Sequence, residues 1–493
     1  MSELYEAQPI DVEAGAGAVA DRLELWISRS LPPVALCVAL ALCVPPFVGS
    51  PTNSYLIVAA VGVAGAALAA IAERPPDRRL FLAIFGWAFL ARLVVLSALW
   101  AVSVPAGGPF LGPDSSTYFA TAVDLAAAGF RLPAHPTVVF GTLDVGQYYL
   151  FAACIRVLGA DLFALQLFNC VCTSLVAPLM FVVVRRFAPG KAILIGAAVA
   201  LYPSLVVISA SDLYKDPSLA LAVAIVLRAG CDLDQNDGSS WGWGGAALLS
   251  LLYMRVTRSY LALHLEVAAV CALIYQLWKS GWTPAVRIAV VRGSLIIALA
   301  EVLPVSVGWP TTPVVVWAQI RHTAATPQMT HVRGGVASPS EDRGDLSPLN
   351  PVSLARKFFG PFVWIVPRRL GLESFLRADY LLYPGTLMLY LLMPLAAAGW
   401  MNTALRTTIA RTSPPLLVAL TLLLFTYVLQ YTVLNLSYRQ REAMFPLLAV
   451  FALEGYRLAR QLGWIRNLYA AYWAMLIAVA VTHLAVRARL GLS

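Results

Sequence analysis

Charge is what this sequence has least of: Asp, Glu, Lys and Arg make up 12% of its 493 residues, while 60% are hydrophobic. A soluble fold cannot hide so much apolar surface from water, so the composition excludes one and implies a polytopic membrane protein. Histidine is scarce, and His135, His264, His322, His331 and His483 form no HExxH or other ligand spacing, which argues against a zinc enzyme. The seven cysteines contain no CxxC and six of them lie in apolar stretches, so they read as small core residues and not as disulfides or metal ligands. There is no P-loop, no GxGxxG after a strand, no GxSxG and no alternating-strand pattern, which removes nucleotide hydrolysis, dinucleotide cofactors and serine hydrolase chemistry. The net charge of +9 does not point to nucleic acid, because Lys and Arg are scattered over short loops without a basic stripe interleaved with aromatics.

What is present is a succession of apolar runs, many of them near the roughly 17 to 25 residues that cross a bilayer. They cover 33–48, 55–72, 80–104, 162–184, 192–209, 219–228, 244–254, 261–278, 288–308, 381–400, 416–434, 445–456 and 468–486, which predicts an all-α bundle of about 13 spans, three of them short. Residues 1–32 read as a cytoplasmic tail, 33–79 as two accessory spans and 80–493 as one membrane-embedded domain. Short basic loops face the cytoplasm, and 73–79, 185–191, 279–287, 402–411 and 457–466 all fall on one side of the alternation. The loops left outside are 105–145, 210–216, 255–260, 310–380 and 435–442; two of them, about 40 and about 70 residues long, exceed what a connection needs. The catalytic face is therefore expected outside, with the apolar stretch 148–159 as a juxtamembrane helix.

The strongest catalytic candidate is Asp114, in the polar island Gly107 to Phe119. Pro113 and Asp114 stand at a helix start, Ser115 to Ala128 form its body, and Gly129 is its stop. At a membrane boundary the Asp114 carboxylate can cap the helix, take a proton from an acceptor hydroxyl, or hold a divalent cation such as Mg2+ or Mn2+. A second acidic site, Asp212, Lys215 and Asp216, interrupts two apolar segments with little spare length, so its charges must lie close together. Asp212 and Asp216 are candidates to orient an acceptor or place a cation, and Lys215 to meet a lipid phosphate. Arg439 and Arg441, in the run Ser437 to Glu442, suit bidentate contact with phosphate on a side where positive charge is otherwise disfavoured. Arg258 is expected to help line the same cavity, and His135 follows the Asp114 helix in the first outer loop. Arg92 lies mid-span, where a charge needs a partner; an acidic residue of an outer loop is one candidate, and the sequence does not name the partner.

Taken in order, these segments resemble the polyprenyl-phosphate-dependent glycosyltransferases of the GT-C class, in particular bacterial relatives of dolichyl-phosphate-mannose protein mannosyltransferases and of the lipid A aminoarabinose transferase. The resemblance runs through Arg92, Asp114, Tyr118 and Gly129, the helix at 148–159, Arg185-Arg186-Phe187, Tyr202-Pro203-Ser204 through Lys215-Asp216, Phe359 to Trp364, and Tyr438-Arg439-Gln440-Arg441 to Pro446. It departs from the family where Ser115 follows Asp114 and where Gly146-Gln147 precedes the juxtamembrane helix. The resemblance implies a GT-C transmembrane bundle in a bacterial inner membrane with its site facing the periplasm. It also implies inverting transfer of a sugar from a polyprenyl-phosphate donor to a glycan, lipid or protein acceptor. Asp114 would be base or metal ligand, Arg439, Arg441, Lys215 and Arg258 would receive the donor phosphate, and Tyr118, His135 and Arg92 would line the cavity. Two other readings stay open: an O-antigen-type polymerase or ligase working through the 310–380 loop on a polyprenyl-pyrophosphate glycan, and a lipid-linked sugar transporter, which calls for polar residues along the whole crossing.

Overall fold

The computed structural model describes residues 21–27, 29–30, 54–103, 113–131, 145–233, 240–306, 313–314, 381–407, 413–433 and 444–489. Among these residues no strand occurs. The helices are α1 (Ser54–Ile71), α2 (Pro75–Ser103), α3 (Pro113–Ala127), α4 (Val145–Leu158), α5 (Leu162–Arg185), α6 (Ala192–Leu201) and α7 (Pro203–Ser211). They continue as α8 (Asp216–Leu233), α9 (Ser240–Ser280), α10 (Pro284–Ser306), α11 (Tyr383–Leu405), α12 (Pro415–Val433), α13 (Phe445–Gln461) and α14 (Ile465–Arg489). Among the described residues eight helices are long and apolar enough to cross a membrane, with α6 and α7 counted as one, so the chain is a polytopic helical membrane protein.

The difference from about 13 expected spans has identifiable sources. The run 33–48 lies outside the described residues. The runs 219–228, 416–434 and 445–456 fall in α8, α12 and α13; α8 carries Asp216, Arg228 and Asp232, and α13 has only 17 residues. The runs 244–254 and 261–278 are both inside α9, whose backbone leaves helical geometry at Arg258 (φ −147°, ψ 78°). Contacts with α8 show that the chain reverses there. Asp216, at the start of α8, pairs with Arg258, while the Arg228 guanidinium near its end stacks on Trp243 of the first limb. Farther along, Gly230 of α8 shares a cleft with Ala272 and Gln276 of the second limb. Both limbs therefore run away from Arg258 beside α8, and the turn expected at 255–260 is made within one residue.

Two further backbone breaks shape the bundle. Pro203 cannot donate to the helical ladder, and Tyr202 before it takes extended geometry (φ −62°, ψ 114°), which separates α6 from α7. The Tyr202 ring lies flat on Phe445, with centroids 3.5 Å apart, and its hydroxyl donates to the Gly385 carbonyl at 3.4 Å. The starts of α11 and α13 are thereby held together at one end, and the two helices cross where Gly399 and Gly455 face each other, with no room for a Cβ on either.

The loops sort into two ends as their charge pattern predicts. At the end of the basic loops, Arg185 pairs with Asp77 at 2.7 Å, Lys191 with Glu454 at 3.0 Å, and Lys279 donates to the Ser413 carbonyl at 3.2 Å. Arg228 grips Glu73 with two bonds of 2.6 and 2.9 Å, both side chains being withdrawn from the surface. At the other end lie α3, the start of α4, loop 212–215 and the reversal at Arg258.

Candidate active site

The helix of Asp114 forms as its sequence suggests. Pro113 opens α3 with its ring-fixed φ, Asp114 is the second residue, and the helix runs to Ala127. Its stop is a left-handed pair, Gly129 and Phe130, both at φ 63°. The Phe130 N–H donates back to the Leu125 carbonyl at 2.9 Å, which closes the helix end. A left-handed phenylalanine is unusual, and α4 holds it: Tyr149 stacks on the Phe130 ring and donates its hydroxyl to the Phe130 carbonyl at 3.2 Å. The buried face of α3, Tyr118, Ala122 and Leu125, packs on Tyr148, Phe151 and Ile155 of α4, so the short apolar helix lies against the first outer helix.

Loop 212–215 meets this pair of helices. The Leu213 N–H donates to the Ser115 hydroxyl at 3.1 Å, one residue from Asp114, and Ser115 is fully buried. Lys215 holds its ammonium 5.9 Å from the centre of the Tyr118 ring, and Tyr118 in turn lies against Tyr148. From beneath, α5 supplies amides: Gln166 donates to the Ser211 carbonyl at 3.3 Å, and Asn169 to the carbonyls of Asp212 (3.4 Å) and Tyr214 (3.1 Å). Trp100 of α2 donates to the Gln166 side-chain oxygen and sets that amide's orientation. The loop has no helix or strand to satisfy its carbonyls, so these buried side chains do it.

The far side of the loop is tied to α9. Ser218 Oγ lies 2.6 Å from Tyr253 Oη, 3.0 Å from Gln147 Oε1 and 2.9 Å from the Lys215 carbonyl, and Tyr253 also donates to Gln147. Gly146 presses against Thr257 so closely that a Cβ would strike its hydroxyl, which brings α4 onto the reversal of α9. At that reversal Arg258 Nη1 stands 2.9 Å from Asp216 Oδ1, off the hydrogen-bond direction, so the attraction is between charges.

The structure thus gathers the start of the Asp114 helix, Tyr118, Asp212, Lys215, Asp216 and Arg258 at one end of the bundle. It does not use them all alike. Asp212 is turned inward, 2% exposed, and Oδ1 accepts the adjacent Leu213 N–H. Tyr118 is a buried platform under Lys215. Arg92 is fully buried, and its bonds go to the carbonyls of Ala88 and Ala200 (2.8 Å each) and the Thr173 hydroxyl (2.7 Å); among the described residues no acidic partner from an outer loop reaches it. Ala200 stands just before the Tyr202 break, so Arg92 supplies a donor where the helical ladder is interrupted. Thr173 is one turn below Asn169, which puts Arg92 under the loop as support. The side chain of Asp114 and all of His135, Arg439 and Arg441 lie outside the described residues.

No protein-family model matches this chain, and no curated protein matches it.

The case for a function therefore rests on residues and geometry. Gln147, Gln166, Asn169, Ser218 and Tyr253 carry the network but are not singled out by motif. A signal for two of them exists: Gln166, Asn169 and Thr173 recur at helical spacing inside an apolar run, the mark of a polar stripe facing inward. Among the described residues no three His, Cys, Asp or Glu side chains converge as a metal would need.

Proposed function

We propose that this protein is a membrane glycosyltransferase of GT-C type that moves a sugar from a polyprenyl-phosphate donor to a hydroxyl acceptor. The observation that carries the proposal is the join between Ser115 and Leu213. It brings the first turn of the helix that carries Asp114 against a loop bearing Lys215, beside Arg258, at one end of an apolar bundle. General base catalysis and charge stabilisation of a phosphate leaving group need a base and cations side by side.

In the proposed reaction the Asp114 carboxylate takes the proton of the acceptor hydroxyl. The acceptor oxygen forms a bond to the anomeric carbon from the face opposite the donor phosphate, and the bond between that carbon and the phosphate oxygen breaks. Configuration inverts, and polyprenyl phosphate leaves with the electron pair. Lys215 and Arg258 offset its growing charge, joined by Arg439 and Arg441 of the 435–442 loop. Asp216 holds Arg258 in place, and no step is routed through a metal. The proposal places this end of the bundle on the periplasmic side of a bacterial inner membrane, as the basic loops at the opposite end imply.

The test is sugar transfer in proteoliposomes supplied with labelled polyprenyl-phosphate hexoses and pentoses. Asp114→Asn keeps the size of the side chain and its capping oxygen but removes the base. Transfer is expected to fall by about 10²- to 10⁴-fold while donor binding persists. Transfer by this variant at the wild-type rate overturns the mechanism.

A further inference from the structure

Where α13 turns into α14, at the basic end of the bundle, cations outnumber the carboxylates that could answer them. Glu454 of α13 serves two of them: Lys191 Nζ reaches its Oε1 at 3.0 Å, and Arg457 Nε stands 3.6 Å from its Oε2. Arg460 and Arg466 are exposed, and among the described residues no carboxylate pairs with either. Arg460 donates to the Tyr456 hydroxyl at 3.5 Å, which leaves its charge uncompensated. One acid therefore answers four cations here, whereas elsewhere at the same end Arg185 has Asp77 and Arg228 has Glu73.

The turn is closed tightly. Gly463 takes the left-handed conformation (φ 68°), its N–H donates to the Arg460 carbonyl at 3.2 Å, and the Trp464 N–H donates to the Ala459 carbonyl at 3.1 Å. Residues 462–464 alone separate the two helices, so Arg460 in the last turn of α13 and Arg466 in the first turn of α14 are held at one level. Between them the Trp464 indole N–H is shielded from water and has no hydrogen-bond partner among the described residues, a cost that an acceptor would remove. The apolar span of α14 begins at Ile465, and only 6% of its residues are buried, so the turn stands where lipid headgroups lie. Leu462 and Tyr456 beside it are 61% and 41% exposed.

We propose that the turn between α13 and α14 binds the headgroup of an anionic phospholipid from the leaflet at the basic end, with Arg460 and Arg466 on its phosphate and the Trp464 indole as a hydrogen-bond donor. Guanidinium meets phosphate through paired N–H···O bonds, and cations clustered at a span end select lipids of net negative charge. Exposed Leu462 and Tyr456 suit the region around a headgroup and would do nothing for a free anion in water. The site lies at the end of the bundle opposite the proposed reaction and does not depend on that reading. Its structural consequence concerns α14. That helix has little packing of its own, and its bonds to α11 run from Tyr469 Oη to the Leu391 carbonyl at 2.6 Å and from Tyr472 Oη to Met393 Sδ at 3.9 Å. A headgroup held by both α13 and α14 pins the start of α14 to the bundle.

Native mass spectrometry of the full-length protein in mild detergent tests this, with dioleoyl phosphatidylglycerol as the probe and dioleoyl phosphatidylcholine as the neutral control. Wild type is expected to prefer the anionic lipid by about tenfold or more. Arg460→Gln with Arg466→Gln is expected to abolish the preference. Arg79→Gln with Arg406→Gln removes the same charge from two other exposed arginines at this end and is expected to keep it. Trp464→Phe, which retains a ring and loses the N–H, is expected to weaken phosphatidylglycerol binding several-fold without affecting phosphatidylcholine, a readout that stands even if the arginine variant fails to fold. If the Arg460 and Arg466 variant binds phosphatidylglycerol as wild type does, or if both arginine pairs lose the preference alike, the turn is not the site. Displacement of the lipid by millimolar inorganic phosphate would show a phosphate site with no need of a lipid and would also overturn the inference. Hydrogen exchange at 465–470 is expected to slow when phosphatidylglycerol is added to wild type, and unchanged exchange would strike out the pinning of α14.

Discussion

The two ends of the bundle handle most of their polar groups differently, although Asp216 and Arg258 form an ion pair at one and Lys279 reaches a backbone carbonyl at the other. At the end of the basic loops, side chains neutralise side chains: Arg228 with Glu73, Arg185 with Asp77, Lys191 with Glu454. At the other end, side chains mainly hold backbone. Gln166, Asn169 and Ser115 reach the carbonyls and N–H of loop 211–214, and Ser218 lies against the Lys215 carbonyl. Ion pairs between helices tie the bundle together. Bonds to a loop's backbone fix where its side chains stand, which is the arrangement a site needs. The contrast assigns stability to the first end and positioning to the second.

The sharpest way to break this contrast is at Arg228. Removing it strands Glu73, whose side chain is fully buried, so Arg228→Ala is expected to destabilise the protein by about 3–5 kcal/mol. Unfolding in a denaturing detergent measures the loss, and pairing the change with Glu73→Gln should restore part of it. A cost below about 1 kcal/mol would mean that the pair is not sealed from water.

Asn169→Ala tests the opposite end. Loss of its two bonds to the loop carbonyls is expected to cost about 1–3 kcal/mol, whereas the transfer rate should fall much further than so small a loss of stability explains. Asn169→Gln, which keeps the amide, should recover some rate. Equal, small effects on rate and stability would reduce Asn169 to a packing residue. The mildest change is Lys191→Ala. Its ion pair with Glu454 is partly open to solvent, and about 0–1 kcal/mol is expected, falling toward zero as salt is raised. A larger effect would show that the first end depends on its outer pairs as well as on its buried one.

Much of the fold was legible because its signals are local. Run length and apolarity mark spans, basic residues mark the loops that share one end, and Pro113 and Gly129 bracket the helix that carries Asp114. The reversal at Arg258 was legible as an interruption, but not as a single residue that folds one helix into two limbs. Arg92 shows the limit of local reasoning most plainly. A buried arginine announces that it needs partners, but the sequence does not name them. Its carbonyl partner at Ala200 exists because of a proline break more than a hundred residues along the chain. The triad of Gln147, Ser218 and Tyr253 was not legible at all, since each residue is ordinary and only their meeting is not.

By itself, then, the sequence determined that this chain lives in a bilayer, that its helices alternate, and which loops share an end, because those follow from transfer energies and backbone rules that act over a few residues. Which polar groups meet was decided by tertiary structure alone. Inside an apolar bundle a buried polar atom must find a partner among whatever helices pack beside it, and that choice is set by shape across the whole fold.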